Sequence, residues 1–580
     1  MFISVIPGVK MPYGHSFFDY QVTEGTAHIG DLIMVPFRQK KIPALISNIS
    51  PVSDYADKVI SISQVQKIIK FPEILPSICL KTAQFSLVSP ATMLNAWLRK
   101  IPKKLPDQEP HVLPRNLHWP KNEPRHQKFY LANRYLGDHG LIQTALKQQA
   151  NGRVLIITPW QSRVAYLQSR LNCPGLTSKT ADGAAWKIWN DFLANPHGVL
   201  IATRLGAWLC SCADIVIMDE PENDDYKQDE LTPRYDARTI IEITKQENPA
   251  LRVIEIGTTP SLNVLKSGQL PATEPLEPDM NIQAFSSAGR SAISSLTAAT
   301  YLEMQNASAD GRKIRVLHAV GGSRGRIRCA DCDWFLTCER CGTGMNNYTQ
   351  YAQCKKCNAK TPLPASCPNC QGSNFSKSMI GCDELQKQAQ KNFPDADIKV
   401  MDLHDWSTAS TPAASLLIIT ELAFIGGWTE DIRKKERLVT AFRRIAAQAV
   451  NTRSRLIVQG HEALLDQCPS WLTPDGLLKV WKQEWQDRDS FHFPPAHQLI
   501  KLIVINRQQD LTDTIKQTLN RPDWQINGPW PVENMTKTRN PRLIYHLLPP
   551  DYLTKEQVAE QVTCLVKLGI IDLDPIAFFC

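Results

Sequence analysis

The sequence predicts an α/β protein with two parallel β-sheets in tandem, because two series of short β-branched runs alternate with helical stretches. The first series comprises VLIIT (154–158), VLIAT (199–203), IVIMD (215–219) and VIEIG (253–257). The second comprises IRVLH (314–318), IKVMD (398–402), LLIIT (416–420) and RLIVQ (455–459). A cluster of cysteines lies between the first two runs of the second series, and it predicts a module inserted into that sheet.

Smaller domains are expected at both ends of the chain. The N-terminal region contains short strands such as DLIMVPF and ALISNI without alternating helices, which indicates a β-rich domain. A proline-rich stretch predicts a linker, and an α+β unit is expected at the C-terminal end. The expected divisions are 1–105 for the N-terminal domain, 106–122 for the linker, 123–275 for the first lobe, 276–325 with 378–490 for the second lobe, 326–377 for the insertion and 491–580 for the C-terminal domain.

Composition limits the setting in which the chain acts. Its 580 residues carry a net charge of +8, which suits a polyanionic partner without establishing one. No run reaches the about 18 apolar residues of a membrane-spanning helix, and the first residues, MFISVIPGVKMPYGH, lack the pattern of a secretory signal. We therefore expect a cytoplasmic protein with no membrane partner.

Half of the cysteines point to bound metal. Eight of the 16 cysteines form four Cys-x-x-Cys pairs between Cys329 and Cys370. In a reducing compartment, such regular pairs indicate a metal site rather than disulfides. Each pair supplies two sulfur atoms and zinc takes four in a tetrahedron, so the set suits two zinc ions. Unliganded thiols and an iron–sulfur cluster are alternatives that the regular spacing favours less.

The spacing of the pairs predicts how they share the two ions. Only five residues separate Cys332 from Cys338, too few for these consecutive pairs to fold back on each other, whereas the 12 residues between Cys341 and Cys354 suit a hairpin. The expected inner site is Cys338, Cys341, Cys354 and Cys357. The expected outer site is Cys329, Cys332, Cys367 and Cys370. Because four thiolates fill the coordination shell, both ions should be structural.

Several motifs resemble the primosomal replication-restart family called PriA, over most of the chain. RCADCDWFLTCERC, QYAQCKKC and ASCPNC resemble the zinc insertion of that family, whose pairs are nested in the same order. MDEPENDDYKQDELTPRYDAR (218–238) resembles its DEEH box with the segment that follows, and FHFPPAHQL resembles the start of its C-terminal domain. The resemblance implies two RecA-like helicase lobes that carry an inserted double zinc ribbon.

The resemblance also implies a DNA-binding role for the N-terminal domain. FDY (18–20) and VPF (35–37) are similar to the part of the family that captures the 3′ end of a nascent strand at a fork. Phe18 and Asp19 match positions that line this pocket, whereas Arg38 stands where the family usually has glycine. The partners implied are forked DNA, junctions of single-stranded and double-stranded DNA, and other primosome and replication proteins.

The segments that would bind ATP depart from the family's pattern. Gly137 and Asp138 stand roughly where a phosphate loop would have Lys and Thr, and a carboxylate there repels triphosphate. Asp219 and Glu220 remain from the DEEH box, but its second Glu and its His are replaced. RRIAAQAVNTRSR (443–455) lacks the arginines that would reach the γ-phosphate. We expect Asp219 and Glu220 to be polar residues at a strand end rather than magnesium ligands, and we do not expect ATP as a cofactor.

These features predict a degenerate member of the family that binds forked or branched DNA and helps to reload the replication machinery without helicase activity. One alternative is an ATP-dependent 3′-to-5′ DNA helicase with a nonstandard nucleotide site, which would show ATP turnover stimulated by forked DNA. The other alternative is a zinc-ribbon scaffold that binds only protein, whose affinity for forks would not exceed that of a mildly basic surface.

Overall fold

The computed structural model describes the chain in segments, which fall into two compact units. The described residues are 1–14, 16–53, 59–100, 126–130, 142, 152–229, 231–267, 282–286, 296–318, 326–329, 331–332, 334, 336–338, 345–347, 350–354, 359–378, 380–408, 415–425, 432–505, 510–531 and 542–576. The first unit contains those within Met1–Lys128, Gly140–Ile256 and Pro550–Leu573. The second contains those within Phe129–His139, Gly257–Pro549 and Asp574–Cys580. The predicted linker, 106–122, lies outside the described residues.

A sheet of short strands forms the N-terminal part of the first unit. Its strands are β1 (Phe2–Pro7), β2 (Phe18–Glu24), β3 (Asp31–Phe37), β4 (Lys40–Ser50), β5 (Ile60–Gln64) and β6 (Gln66–Lys70), in the order β5-β2-β1-β4-β3-β6. Because successive residues of a strand point to opposite faces, Ile3, Val5 and Ile33 lie together in one apolar cluster. Helices α1 (Leu75–Phe85) and α2 (Pro90–Trp97) follow, and Ser89 caps α2 by accepting a hydrogen bond from the Thr92 amide.

The first series of β-branched runs forms a sheet. Its strands are β7 (His126–Tyr130), β8 (Val154–Ile157), β9 (Gly175–Leu176), β10 (Val199–Ala202), β11 (Ile215–Asp219) and β12 (Arg252–Gly257), in the order β7-β12-β11-β8-β10-β9. Strands β12, β11, β8, β10 and β9 run parallel to one another. Helices α3 (Gln161–Leu171), α4 (Asp182–Ala194) and α5 (Ala237–Glu247) connect them. Every residue of β8 and β11 is buried, as the unbroken apolar runs require.

The second series also forms a parallel sheet, and the cysteine-rich insertion adds two small antiparallel ones. The strands described between residues 282 and 460 are β13 (Ile282–Ser286), β14 (Ile314–Leu317), β15 (Arg326–Cys329), β16 (Asn346–Asn347), β17 (Tyr351–Gln353), β18 (Lys360–Pro362), β19 (Phe375–Ser378), β20 (Ile398–Met401), β21 (Leu416–Ile419) and β22 (Arg455–Gly460). The parallel order is β13-β22-β21-β14-β20, while β15 pairs with β19 and β17 lies between β16 and β18. The predicted mixed α/β fold with parallel sheets is therefore confirmed.

Helices cover the second sheet. They are α6 (Ala298–Ala309), α7 (Cys382–Asn392), α8 (Leu403–Thr408), α9 (Lys434–Asn451), α10 (Glu462–Leu465), α11 (Cys468–Leu472) and α12 (Pro474–Ser490). The longest, α9, buries Val439, Phe442 and Ile445 against strands of the sheet and against α11. Each of these side chains follows the previous one by three positions, a spacing that keeps them on one helix face.

The C-terminal elements belong to both units. In the second unit, β23 (Ile500–Ile505), helix α13 (Thr512–Leu519), β24 (Gln525–Pro531) and β25 (Arg542–Leu548) form an antiparallel arrangement in which β25 pairs with both other strands. Helix α14 (Lys555–Gln561) and β26 (Ile570–Asp572) lie in the first unit. Among the described residues, no helix combines the length and apolar character that crossing a membrane requires.

Candidate functional sites

Four cysteines from the two ends of the insertion converge on one point. The sulfur atoms of Cys329, Cys332, Cys367 and Cys370 all lie within 4.8 Å of one another. The Sγ atoms of Cys329 and Cys370 are 3.5 Å apart, and those of Cys332 and Cys367 are 3.6 Å apart. Since zinc binds sulfur at about 2.3 Å, the sulfur atoms of a regular tetrahedron around it lie about 3.8 Å apart. The spacing of these four thiols fits a zinc ion.

Antiparallel pairing and tight turns bring the four cysteines together. Strand β15 pairs with β19 in a register that places Cys329 opposite Phe375. The Cys329 amide donates to the Trp334 carbonyl at 2.7 Å, and the Cys367 amide donates to the Gly372 carbonyl at 2.7 Å. Each hydrogen bond closes a turn around one Cys-x-x-Cys pair, so each turn presents two sulfur atoms on the same side. The arrangement joins the first and fourth pairs of the sequence.

Polar groups around one of these sulfur atoms, that of Cys332, favour the thiolate that zinc binds. Asn369 donates a side-chain hydrogen bond to the Cys332 sulfur at 3.4 Å. This bond, together with one from the Trp334 amide, lowers the pKa of the Cys332 thiol to about 7. Asn374 holds the Asp331 carboxylate at 3.1 Å beside the site. Because the thiolate is the metal ligand, a lowered thiol pKa reduces the proton competition against zinc at neutral pH.

Two cysteines of the predicted inner site lie in a small apolar cluster. Cys338 and Cys354 are 2% and 0% exposed, and they pack with Leu336, Met345 and Ala352. The Cys354 amide donates to the Ala359 carbonyl at 2.9 Å, in the segment between β17 and β18. Cys341 and Cys357, the other two members of the set, lie outside the described residues. The inner site therefore remains a prediction.

Asp219 lies at the end of β11 with its carboxylate paired inside the protein. Its Oδ2 atom accepts hydrogen bonds from Thr158 Oγ1 at 3.0 Å and from Arg163 Nε at 2.9 Å. Its Oδ1 atom accepts a longer bond from Arg163 Nη2 at 3.4 Å. The side chain of Asp219 is 1% exposed and that of Arg163 is 10% exposed. Both oxygen atoms of this candidate magnesium ligand are thus directed at protein donors.

Glu220 and its surroundings are also engaged within the first unit. Glu220 has a φ of 56°, is 4% exposed, and donates its amide to the Ile256 carbonyl at 2.8 Å. The Tyr226 hydroxyl lies 2.7 Å from the carbonyl oxygen of Ile157 and 2.5 Å from that of Asp219, so it bridges the ends of β8 and β11. Burial, with the negative charge of Asp219, raises the pKa of Tyr226 well above its usual value.

The other segments that depart from the family's ATP site either lie outside the described residues or have a structural role. Gly137 and Asp138 lie outside the described residues. Arg443 on helix α9, in the segment that would carry γ-phosphate arginines, is 1% exposed. Its guanidinium donates to the carbonyl of Trp471 and, at 3.5 Å, to that of Thr258. This arginine supports the packing of the second unit through backbone carbonyls.

Phe18 and Asp19 are consecutive on β2, so their side chains point to opposite faces of the sheet. Asp19 Oδ1 accepts from Ser4 Oγ at 2.7 Å, and Asp19 Oδ2 accepts from Ser53 Oγ at 2.6 Å. The ring of Phe18 meets that of Phe37 edge to face, with centroids 5.3 Å apart. The two serines fix the carboxylate in place, and each carboxylate oxygen retains a lone pair for another donor.

Sequence reasoning missed the hydrogen-bond partners of Asp19 and Asp219, which determine whether each carboxylate is open to a ligand. Arg163, Thr158 and Ser4 belong to no motif, and each is remote in sequence from the aspartate that it contacts. One signal was available for Ser4, because it stands opposite Asp19 in the pairing of β1 with β2. No comparable local signal marks Arg163, which reaches Asp219 at the end of β11 from helix α3.

Comparison with known proteins gives one consistent result. Seven curated proteins resemble the chain, and all bear the name replication restart protein PriA. The protein of Bacillus subtilis is 24% identical over 202 residues, which are 33% of this chain and 25% of that protein. The protein of Chlamydia muridarum is 22% identical over 478 residues, covering 69% and 61% of the two chains. The protein of Haemophilus influenzae is 21% identical over 465 residues, covering 69% and 62%.

The remaining comparisons limit the conclusions that this similarity supports. No protein-family model matches the chain. The crystal structure of the yeast DEAD-box splicing factor Prp28 aligns with 62% of this chain and 76% of that chain at 10% identity, but a TM-score of 0.16 supports no argument about fold. The matched regions span 25% of the Bacillus subtilis relative and 54% of the one from Borreliella burgdorferi. The chain is similar to the PriA replication restart proteins over as much as 69% of its length, which confirms the resemblance that its motifs predicted.

Proposed function

We propose that this chain is a PriA-like protein that binds forked or branched DNA and helps to reload the replication machinery, without ATP-driven unwinding. Similarity to the PriA proteins supports the role in replication restart. The pairing of Asp219 with Arg163 carries the second part of the proposal. A carboxylate that orients magnesium must be open to the ion, whereas this one is held by a buried guanidinium.

The energetics of the pair favour a structural role for Asp219. A magnesium ion that took over the carboxylate would have to displace Arg163, whose side chain is 10% exposed. Breaking a buried ion pair and leaving one charge uncompensated costs about 3–5 kcal/mol. The sequence has no phosphate-loop lysine whose contacts with a triphosphate could offset that cost. We therefore assign Asp219 and Glu220 to the strand end rather than to nucleotide chemistry.

The proposed architecture places a zinc platform on a degenerate helicase core. In this proposal, 123–275 and 276–325 with 378–490 are RecA-like lobes, and 326–377 is a double zinc ribbon inserted into the second lobe. Two ions would be held in the nested order, the outer one by the cluster of Cys329, Cys332, Cys367 and Cys370. Four thiolates leave no open coordination position, so zinc supplies cross-linking of a short segment rather than catalysis.

The N-terminal domain, 1–105, is the proposed site for a DNA end. Phe18 offers an aromatic ring for a base, and the fixed carboxylate of Asp19 can accept a hydrogen bond from a terminal 3′-hydroxyl. A 3′-phosphate would bring negative charge against that carboxylate. A free 3′ end should therefore bind better than a phosphorylated one.

The decisive experiment is a titration of forked DNA with either a free 3′-hydroxyl or a 3′-phosphate, with and without ATP, at stated salt concentrations. We expect tighter binding of the free end and no effect of ATP. Equal binding of both ends would remove the role of Phe18 and Asp19. ATP hydrolysis stimulated by forked DNA would instead support a helicase with a nonstandard nucleotide site.

The same titration separates DNA binding from a role limited to protein contacts. A linear duplex of equal length offers a phosphate charge similar to that of a fork, so charge alone gives similar affinities for the two. A protein that recognises forks should bind the fork more tightly than the duplex. Equal affinity for both would favour a zinc-ribbon scaffold. The proposed protein partners are other components of the primosome and the replication machinery.

A further inference from the structure

The hairpin that joins β3 to β4 carries a concentration of positive charge. Its tip, RQKK (38–41), contains Arg38, Lys40 and Lys41, and all three side chains are exposed. Across the described residues, no carboxylate forms an ion pair with any of them, whereas Lys67 on β6 of the same sheet is paired with Asp31 at 3.0 Å. The tip is thus a cationic site whose charge is not used within the part of the domain that the structure describes.

Arg38 occupies a backbone conformation that favours glycine. The ladder between the strands closes with Phe37 opposite Lys40, so Arg38 and Gln39 form the two-residue turn. Arg38 has a φ of 55°, within the left-handed region where a Cβ atom is unfavourable. Strained residues of this kind are concentrated at functional sites. Glycine would form the same turn without strain, which makes the arginine side chain a candidate for function.

The tip is anchored to the rest of the domain. The Tyr20 hydroxyl on β2 donates to the Pro36 carbonyl at 2.7 Å, two residues before Arg38. The Phe37 ring contacts the Phe18 ring, and the Arg38 guanidinium lies 5.6 Å from the Phe37 centroid. A guanidinium packed on an aromatic ring keeps in-plane N–H donors for a second partner. The cations therefore sit on a fixed frame.

The arrangement suits a polyanion with repeated charges. Lys40 and Lys41 are consecutive in β4, so their side chains point to opposite faces of the hairpin, and Arg38 stands at its tip. Three cations distributed in this way match several phosphates along a strand better than one compact anion. The aromatic pair of Phe18 and Phe37 beside them offers rings to bases.

We propose that the tip of the β3–β4 hairpin binds backbone phosphates of a DNA strand. The proposal rests on the DNA-binding function proposed above, and it assigns affinity to residues other than Phe18 and Asp19. The three cations supply binding that depends on salt and is indifferent to the chemistry of the 3′ end. The fixed Asp19 carboxylate supplies selection of that end.

The test compares two triple variants of the full chain that lose the same charge. The hairpin variant carries Arg38→Gly, Lys40→Ala and Lys41→Ala. The control variant carries Arg170→Ala, Lys179→Ala and Lys187→Ala, which are exposed cations of the same unit. Arg170 is a matched control because it too packs on an aromatic ring, that of Tyr166, at 5.7 Å. Fluorescence anisotropy gives the affinity of each variant for a single-stranded oligonucleotide over a range of salt concentrations.

Loss of three phosphate contacts should make the slope of log K against log salt shallower by about 2, since each contact on a single strand contributes about 0.7. At 0.1 M salt this corresponds to roughly 100-fold weaker binding for the hairpin variant. The control variant should bind like wild type. Arg38→Gly alone should weaken binding about fivefold, because one phosphate contact is lost. The same variant should have a higher Tm, because glycine relieves the strain of the left-handed backbone, so its weaker binding would not result from unfolding.

The outcomes separate this proposal from the one on which it depends. If wild type binds DNA and the hairpin variant retains its affinity and slope, the hairpin does not contact phosphates, although DNA binding stands. An equal loss in both triple variants would reduce the effect to net charge and would overturn the proposal. If wild type binds neither forks nor single strands, the DNA-binding function itself is wrong.

Discussion

The ion pair between Arg163 and Asp219 leads to a quantitative prediction about stability. Arg163→Met keeps the length of the side chain and removes the guanidinium that donates to Asp219 at 2.9 Å. The carboxylate, 1% exposed, then loses its cationic partner and keeps the hydrogen bond from Thr158. Stranding one charge of a buried pair costs about 3–5 kcal/mol, and the 10% exposure of Arg163 places the expected loss near the lower limit, about 3 kcal/mol.

Removal of both charges should restore most of the lost stability. In the double variant Arg163→Met, Asp219→Leu, neither charge of the pair remains, and such apolar replacements are often neutral or stabilising. The expected coupling free energy between the two substitutions is therefore at least about 2 kcal/mol. Urea titration with hydrogen exchange of peptides covering 154–171 measures the effect locally, because a chain with two units need not unfold in one step.

Two results would refute this reasoning. The first is an Arg163→Met variant whose stability stays within about 0.5 kcal/mol of wild type, the range of an ordinary surface substitution. The second is stabilisation of wild type by magnesium and ATP that Asp219→Asn abolishes, which would make Asp219 a ligand. A matched control is Arg170→Met on the same helix, since Arg170 is exposed and should have little effect.

The remaining predictions concern the metal cluster and one partly buried carboxylate, that of Asp236. The chain should bind about two zinc ions, and Cys367→Ser should leave about one by elemental analysis; retention of both would contradict the outer site. Gly372→Ala should speed zinc release to a chromophoric chelator, because a Cβ there would collide with Asp331 Oδ2, whereas Gly183→Ala, with open space around it, should not. Although burial opposes ionisation, Arg238 lowers the pKa of Asp236 to about 2 from 3.8. The stabilising contribution of Asp236 is thus present above pH 3.8 and lost as the pH falls through about 2. Wild type should therefore lose stability more steeply over that range than the Asp236→Asn variant. The control is Asp182→Asn, at an exposed aspartate, which should behave like wild type.

Local pattern predicted the strands and the Cys-x-x-Cys turns because both are encoded by short spacings. Strands buried on both faces need unbroken apolar runs, and VLII of β8 and IVIMD of β11 supply them. A Cys-x-x-Cys turn fixes two sulfur atoms on one side within four residues. Each of these signals can be read without knowing how distant parts of the chain meet.

Contacts between distant residues could not be predicted in this way. Lys227 forms a buried ion pair with Asp572 at 2.8 Å, and the two residues are 345 positions apart. The pair draws the segment Pro550–Leu573 into the first unit, whereas the order of the sequence places it at the end of the C-terminal region. Neither residue stands out in its own segment, because an isolated Lys or Asp is usually solvated.

Asp219 shows how such a distant contact changes the meaning of a motif residue. Arg163 reaches it from helix α3, which follows β8, and Thr158 reaches it from the end of β8 itself. The carboxylate therefore holds the ends of β8 and β11 together with no metal ion required, and it would be retained for stability even if nucleotide binding were lost. An acidic residue at a strand end is consequently weak evidence for ATP chemistry until its partners are known, because the same carboxylate serves magnesium when it is open and the fold when it is paired.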